Sequence, residues 1–112
     1  MSAIAVEVVR TLDQLPQIYA LRGIVYVGEQ DCPFEEEFDG NDLSGATHLV
    51  ARIGREPVGA IRIRWFAEFA KLERAAVLRR YRESGVAHKL WEASAAIAAR
   101  KGYRYILGHI EP

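Results

Sequence analysis

A single cysteine, Cys32, is all that this chain of 112 residues offers for disulfide chemistry. One thiol cannot form an internal disulfide, so nothing in the sequence points to an oxidising compartment. Long apolar runs are missing too, and the start Met1–Ile4 lacks the basic and apolar regions of a signal peptide. We therefore expect a cytoplasmic protein that has no membrane partner.

Net charge is also absent, because 15 Lys and Arg balance 15 Asp and Glu. The signs are unevenly placed: residues 1–50 hold two basic and nine acidic residues, whereas residues 51–112 hold 13 basic and six acidic. This distribution fits a second half that faces an anion, or two halves that attract each other in the fold. A neutral chain without interleaved aromatic and basic residues is not typical of nucleic-acid-binding proteins, so we expect no nucleic-acid partner.

The length and the 50% hydrophobic content fit one small globular domain, residues 1–112. Residue periodicity and turn formers predict a helix from Asp13, which can cap it, to about Val27, and only a short irregular helix within the acidic stretch 29–45. A second helix is predicted from Gly85 to Lys101, ended by Gly102. The predicted strands are Ile4–Val9, Thr47–Ile53, Val58–Phe66, Lys71–Leu78 and Tyr103–Ile110.

This order of elements predicts a mixed α+β fold. Three consecutive strands are expected to form an antiparallel meander, and the last strand–helix–strand unit a right-handed parallel crossover. The helices are expected to pack on both faces of the mixed sheet.

The segment that precedes the second helix contains the residues that suggest a binding site. Gly85 removes a side chain where a pyrophosphate needs close approach to backbone, and Ala87 keeps the next turn narrow. Arg79, Arg80 and Arg82 surround the turn with positive charge suited to phosphate oxygens. The pattern therefore predicts a phosphate site, with an ordinary helix start and solvated arginines as the alternative.

The run Arg82–Ala87 resembles the R/Q-x-x-G-x-G/A loop of the GNAT acyltransferases, and it lies between the expected strand and helix. The resemblance implies that acetyl-CoA is the co-substrate and that the chain is an N-acyltransferase for a small-molecule or protein amine. It also implies a pyrophosphate site and a pantetheine site. The pyrophosphate would bind backbone N–H groups of the turn through Arg82, Ser84, Gly85, Val86 and Ala87, and the pantetheine arm the backbone of Ala76, Val77 and Leu78. Further segments similar to the family are 27–30, 34–39, 47–51, 58–62 and 71–78.

Glu73 is the candidate catalytic residue, as the base or as the anchor of a water that relays the proton. It shares a strand with the carbonyl-binding backbone and is expected to lie on one face with Ala75. Several relatives place their glutamate earlier on this strand, and a charge pair with a neighbouring arginine is the alternative role for Glu73. Glu29 and the acidic cluster Glu35–Asp39 could attract an amine, or form a solvated acidic loop.

The histidines and the cysteine lack the neighbouring residues that a metal site or a nucleophilic site would need. His48, His88 and His109 are not at metal-ligand spacing, so we predict no metal site. Cys32 has no nearby His–acid pair that would make it a nucleophile. Trp65 and Trp91 are expected to serve the core.

GNAT domains normally continue after the fifth strand with a helix and two more strands, which this chain does not have. The resemblance therefore implies that the domain is truncated at its C-terminus or is completed by another chain. The open edge of the last strand predicts a homodimer. The alternatives are a non-catalytic acyl-CoA-binding or dimerisation module, an enzyme like the acyl-homoserine-lactone synthases, and an α/β interaction domain that binds no cofactor.

Overall fold

A computed structural model describes residues 3–10, 12–25 and 45–108 of the chain. The strands are β1 (Ile4–Val8), β2 (Thr47–Ile53), β3 (Glu56–Trp65), β4 (Phe69–Val77) and β5 (Tyr105–Gly108). The α-helices in the described ranges are α1 (Leu15–Arg22) and α2 (Val86–Arg100), and 3-10 turns precede them at Leu12–Gln14 and Arg79–Tyr81. The predicted short helix within residues 29–45 falls almost entirely outside the described residues.

The five strands form one sheet in the order β1-β2-β3-β4-β5. The first three pairings are antiparallel, and β4 pairs with β5 in parallel from Phe69 opposite Tyr105 to Leu72 opposite Gly108. The predicted mixed sheet, with its meander followed by a parallel β-α-β unit, is therefore confirmed.

The two helices lie on opposite faces of this sheet. Ile61 and Ile63 of β3 pack with Leu90 of α2, whereas Ala60 packs with Leu15 and Ile18 of α1. Because neighbouring side chains of a strand point to opposite faces, these contacts place α2 on one face and α1 on the other. The predicted arrangement of helices on both faces is confirmed as well.

Helix α1 begins later than the sequence predicts. Asp13 belongs to the 3-10 turn, and the residue at the N-cap is Gln14, whose side chain makes no capping hydrogen bond. Pro16 lies at the start of the helix, where its missing N–H costs no intrahelical bond. The expected cap at Asp13 is therefore wrong, because the chain first winds through the tighter turn.

The tryptophans differ in how far they enter the core. The Trp65 indole packs against Tyr103 with ring centroids 5.1 Å apart and donates to the Thr47 hydroxyl at 3.0 Å. Trp91 is 36% exposed, so the expectation of a core role is wrong for this residue. Its ring lies over Gly108 of β5, where an added Cβ would collide with the indole.

None of the described helices is long and apolar enough to cross a membrane. The cytoplasmic location stays a prediction.

Candidate functional site

A β-bulge interrupts β4 in the middle of the predicted site. Arg62 pairs with Glu73 and Ala60 with Ala76, so β4 contains one more residue than β3 between these two pairs. Arg74 adopts a positive φ of 54°, which a side chain other than glycine seldom takes. Because the extra residue shifts the alternation of side chains, Glu73 shares a face with Ala76. The expectation that Glu73 shares a face with Ala75 is therefore wrong.

Beyond the bulge, two backbone groups of the predicted pantetheine site already have partners. The Leu78 N–H donates to the Val58 carbonyl at 2.9 Å, and the Val77 carbonyl accepts from Nε of Arg82 at 3.0 Å. The Arg82 side chain thus joins the end of β4 to the turn that follows it. Because a carbonyl oxygen has two lone pairs, Val77 can accept a second donor while it keeps Arg82.

The 3-10 turn Arg79–Tyr81 is anchored to β3 through Glu56. The Tyr81 hydroxyl donates to Oε2 of Glu56 at 2.8 Å, and Arg80 forms an ion pair with the same carboxylate. The hydrogen bond from Tyr81 lowers the pKa of Glu56, together with the charge of Arg80 and against a smaller opposing effect of burial. The anchor fixes the start of the turn relative to the sheet, and the sequence alone did not reveal it.

Gly85 is the N-cap of α2 and has a φ of 89°, in the left-handed region that glycine enters without strain. No side chain caps this helix end in the described part of the chain. Apart from Gly85, its chain neighbours and the adjoining helix backbone, no atom lies within 4 Å of the position where a Cβ would stand. The first intrahelical bond runs from the Lys89 N–H to the Gly85 carbonyl. The N–H groups of Val86, Ala87 and His88 precede it, so they point out of the helix start.

This geometry fits a phosphate group. Outward N–H groups and the positive end of the helix dipole attract an anion, and the open space above Gly85 lets it approach the backbone. Ser84 donates its hydroxyl to the Tyr81 carbonyl, which leaves the helix-start N–H groups available. Arg79, Arg80 and Arg82 are all exposed around the turn. The structure thus brings together Arg82, Ser84, Gly85, Val86 and Ala87, and the phosphate role stays a prediction.

Glu73 lies in a cationic setting on the face of the sheet opposite α2. Its Oε1 accepts from Nη2 of Arg62 at 2.8 Å and from Nε at 3.1 Å, while Nη1 of Arg64 is 3.4 Å away. Nζ of Lys71 lies 3.4 Å from Oε2. The alternative reading of Glu73 as a charge-pair partner is therefore confirmed, and a catalytic role stays a prediction.

The surroundings decide the charge of Glu73. Burial alone would raise the pKa of this carboxyl, but attraction and hydrogen bonding by Arg62 outweigh it, with help from Lys71 and Arg64. The pKa of Glu73 is therefore lowered, and the group stays ionised near neutral pH. A carboxylate held in this way is a weak base and a firm anchor for a positive or hydrogen-donating group.

The other candidates are scattered or lie outside the described residues. His88 pairs with Glu92 at 3.1 Å on the exposed side of α2, and His48 is buried in β2 opposite Arg62. Within residues 3–10, 12–25 and 45–108, no group of His, Cys, Asp and Glu could hold a metal ion. The predictions for Glu29, Cys32, Glu35–Asp39 and His109 concern residues outside the described ranges.

Sequence reasoning missed two of the residues that shape this site. Arg62 could have been found from the hairpin register, since it is the position on β3 that faces Glu73. Glu56 gave no signal, because its partners Arg80 and Tyr81 follow it by 24 and 25 positions and only the fold brings them together.

A bulged strand that leads through an anchored turn to an uncapped helix start has the open space and the N–H donors that a phosphate group needs. Comparison with known proteins identifies the family. The model of the Acetyltransferase (GNAT) family matches residues 13–112. The chain therefore belongs to the GNAT acetyltransferase family. The sequence left open an N-acyltransferase and an enzyme like the acyl-homoserine-lactone synthases, and the family description names acetyltransferases.

Individual relatives agree with this assignment. The chain is 38% identical over 90 residues to the uncharacterized N-acetyltransferase YjcF of Bacillus subtilis, covering 80% of this chain and 64% of YjcF. An acyl-CoA N-acyltransferase from Pseudomonas aeruginosa superposes with a TM-score of 0.79 at 26% identity, covering 91% of this chain and 73% of that one. The aminoglycoside N-acetyltransferase AAC(6')-Iy, solved in complex with CoA, has a TM-score of 0.75 at 19% identity over 100% of this chain and 80% of its own. The chain thus spans a little under two thirds of the length of YjcF.

Proposed function

We propose that this chain binds acetyl-CoA along β4 and the start of α2, and transfers the acetyl group to a primary amine. One observation carries the proposal: the N-terminus of α2 is uncapped behind a left-handed Gly85 and opens next to the bulged end of β4. The family supports acyl transfer in general, and the CoA complex of AAC(6')-Iy supports a CoA donor. The acetyl group and the amine acceptor are the finer parts of the proposal.

The turn would hold the pyrophosphate through the N–H groups that precede the first bond of α2, with arginine side chains screening its charge. Backbone groups of Ala76, Val77 and Leu78 would then orient the pantetheine arm and the thioester. The amine nitrogen attacks the thioester carbonyl carbon, a C–N bond forms, and the C–S bond breaks. One ammonium proton passes to solvent through a relay water before attack. The nitrogen loses a second proton as the amide forms, and the departing CoA thiolate takes up one proton.

Glu73 serves this reaction in our proposal as an anchor. Its lowered pKa makes direct proton abstraction weak, whereas a permanent carboxylate near the bulge can hold a water that relays the proton. It shares a face with Ala76, one of the residues proposed to bind the arm.

The deciding experiment is calorimetric titration of the chain with acetyl-CoA and with CoA. We expect saturable binding of both ligands, and we expect Gly85→Glu to abolish it, because a carboxylate would repel phosphate and fill the open approach. Gly102→Glu is the matched control. Gly102 has a φ of 91°, an equally open Cβ position, and a place at the other end of α2, so the backbone strain is matched.

Three outcomes separate the hypotheses. Binding lost in Gly85→Glu and kept in Gly102→Glu supports the cofactor site. Binding by the wild type without turnover on any amine supports the non-catalytic acyl-CoA-binding module. A folded wild type that binds neither ligand refutes the proposal.

We also propose a homodimer formed through the edge of β5. Among the described strands β5 pairs only with β4, so its other edge offers N–H and C=O groups to a second copy. Light scattering over a range of protein concentrations tests this, and a monomer at every concentration contradicts it.

A further inference from the structure

The face of the sheet opposite α2 continues past the bulge as a partly open surface. Ala70 and Leu72 of β4 pack into the core beneath α2, so Phe69, Lys71 and Glu73 point the other way. The same alternation puts Tyr105 and Leu107 of β5 on that face, because Ile106 between them packs with the core. This surface, which we call the outer face, comprises Arg62, Arg64, Phe69, Lys71, Glu73, Tyr105 and Leu107.

Apolar and aromatic side chains form the floor of the outer face. The rings of Phe66 and Phe69 stack at 4.7 Å, and the parallel register sets Tyr105 beside Phe69 and Leu107 beside Lys71. Tyr105 is 67% exposed and Leu107 54%, which is high for such side chains. Exposed aromatic surface next to a reaction site is typical of ligand-binding surfaces.

Positive charge prevails on the outer face. Arg62 is buried and by itself gives Glu73 two hydrogen bonds, at 2.8 and 3.1 Å. Arg64 and Lys71 stand further off, each 3.4 Å from the same carboxylate, with side chains 30% and 39% exposed. Since the charge of Glu73 is already matched by Arg62, Arg64 and Lys71 can each give donors to an anion that comes from solvent.

A groove of about 480 Å³ lies beside Tyr105, at the end of the sheet. It runs between the turn after β3 and the turn before β5, and its lining contains Lys101 and Arg104 against one acid, Glu68. The groove beside Tyr105 therefore has an excess of positive charge in its lining.

We propose that the outer face holds an acceptor that carries a carboxylate and an apolar or aromatic body besides its amine, with an aromatic amino acid as the simplest case. This inference rests on the acetyl-transfer function proposed above. The carboxylate lies between Arg64 and Lys71, the apolar body lies on Phe69 and Tyr105, and the amine is directed to Glu73 and the bulge. The products are the N-acetylated acid and CoA, with the C–N and C–S bonds exchanged as described. A polycationic amine meets like charge on this surface.

The test compares three acceptors under saturating acetyl-CoA, with release of the CoA thiol as the readout. Phenylalanine carries both features, phenylalanine amide lacks the carboxylate, and spermidine is a polycation without an apolar body. A charge-assisted contact with two cations predicts a kcat/KM for phenylalanine about tenfold or more above that of its amide. Spermidine is expected to be the poorest acceptor.

Lys71→Gln should reduce the preference for phenylalanine over its amide several-fold, because it removes one of the two cations proposed to hold the carboxylate. Arg55→Gln removes an exposed cation from the turn between β2 and β3 and should keep the full preference, which makes it the matched control. The inference is overturned if the amide or spermidine is preferred, or if Lys71→Gln leaves the preference unchanged.

The failure of this inference can be told apart from that of the proposed function. Where acetyl-CoA binds and spermidine is the best acceptor, acetyl transfer stands and the acidic acceptor is refuted. Where CoA binds and no amine is turned over, calorimetry with phenylalanine and its amide on the CoA-saturated protein decides, and equal binding or none overturns the inference. Where acetyl-CoA does not bind the folded chain, both fail together.

Discussion

Removing either member of the Arg62–Glu73 pair should destabilise the protein far more than removing both. The side chain of Arg62 is 1% exposed and that of Glu73 is 7% exposed. Each charge therefore needs the other to compensate for the hydration that it loses on burial. Glu73→Leu leaves a buried guanidinium without this carboxylate, and we expect a loss of about 3 kcal/mol in unfolding free energy. Arg62→Met should cost less, about 2 kcal/mol, because Arg64 and Lys71 stay 3.4 Å from the carboxylate.

The double variant Arg62→Met/Glu73→Leu replaces the ion pair by apolar side chains of similar length. We expect it to lie within about 1 kcal/mol of the wild type, since no buried charge of the pair is left behind. Urea unfolding followed by circular dichroism measures all four proteins of the cycle. A double variant that loses about 5 kcal/mol, the value for two independent losses, would refute the reasoning.

The pH dependence of stability follows from the same pair. The folded-state pKa of Glu73 is lowered from its ordinary value of 4.5, so its contribution is complete above that value and is lost as the pH falls through the lower folded pKa. Wild type should therefore lose stability on acidification below about pH 4.5, and the double variant should lose less over the same range.

The double variant also separates the two roles of Glu73. If it is folded and binds CoA with unchanged affinity, a fall of about a hundredfold in kcat/KM for the amine shows a role at the reacting group. Wild-type turnover by this variant would show that Glu73 serves the fold alone.

Three further predictions concern the turn between β4 and α2 and the contacts that support it. Gly59→Ala would place a Cβ 2.8 Å from Cγ1 of Val86, at the start of α2, and 3.2 Å from the Ala76 carbonyl; we expect a loss of about 1–3 kcal/mol by urea unfolding and weaker CoA binding by calorimetry, and unchanged values would contradict the close packing. Tyr81→Phe removes the hydrogen bond to Glu56 that anchors the turn, so we expect weaker CoA binding with the sheet intact by circular dichroism. In the wild type this bond, the first of several causes, raises the pKa of Tyr81, and Glu56→Gln should lower that pKa in an ultraviolet titration of the phenol.

Much of the fold could be predicted from the sequence because its signals are local. The alternation of Ile61 and Ile63 with Arg62 and Arg64 predicts a strand with two unlike faces, and the structure has that strand as β3. Helix α2 differs from its predicted span by one residue at each end, since Gly85 and Gly102 both adopt the positive φ that ends regular structure.

The bulge could not be predicted in this way. The sequence of residues 71–78 predicts an unbroken strand, and arginine is not a residue type that favours a positive φ, which Arg74 adopts. The irregularity depends on how β4 pairs with β3, and pairing is a property of two distant segments. The consequence is large, because a one-residue shift exchanges the faces of every side chain that follows it.

The excess of basic residues in the second half of the chain is a second feature whose arrangement depends on strand pairing and could not be predicted from the sequence. In the sequence, the arginines near residue 80 and those near residue 62 simply add to the same number of basic residues in the second half of the chain. The sheet separates them: Arg79, Arg80 and Arg82 surround the start of α2, whereas Arg62 and Arg64 lie with Glu73 on the opposite face. A single cationic half of the sequence therefore becomes two cationic surfaces in the fold, one at the start of α2 and one beside Glu73. The register of the strands and the alternation of their side chains determine the surface on which each arginine lies, whereas composition does not.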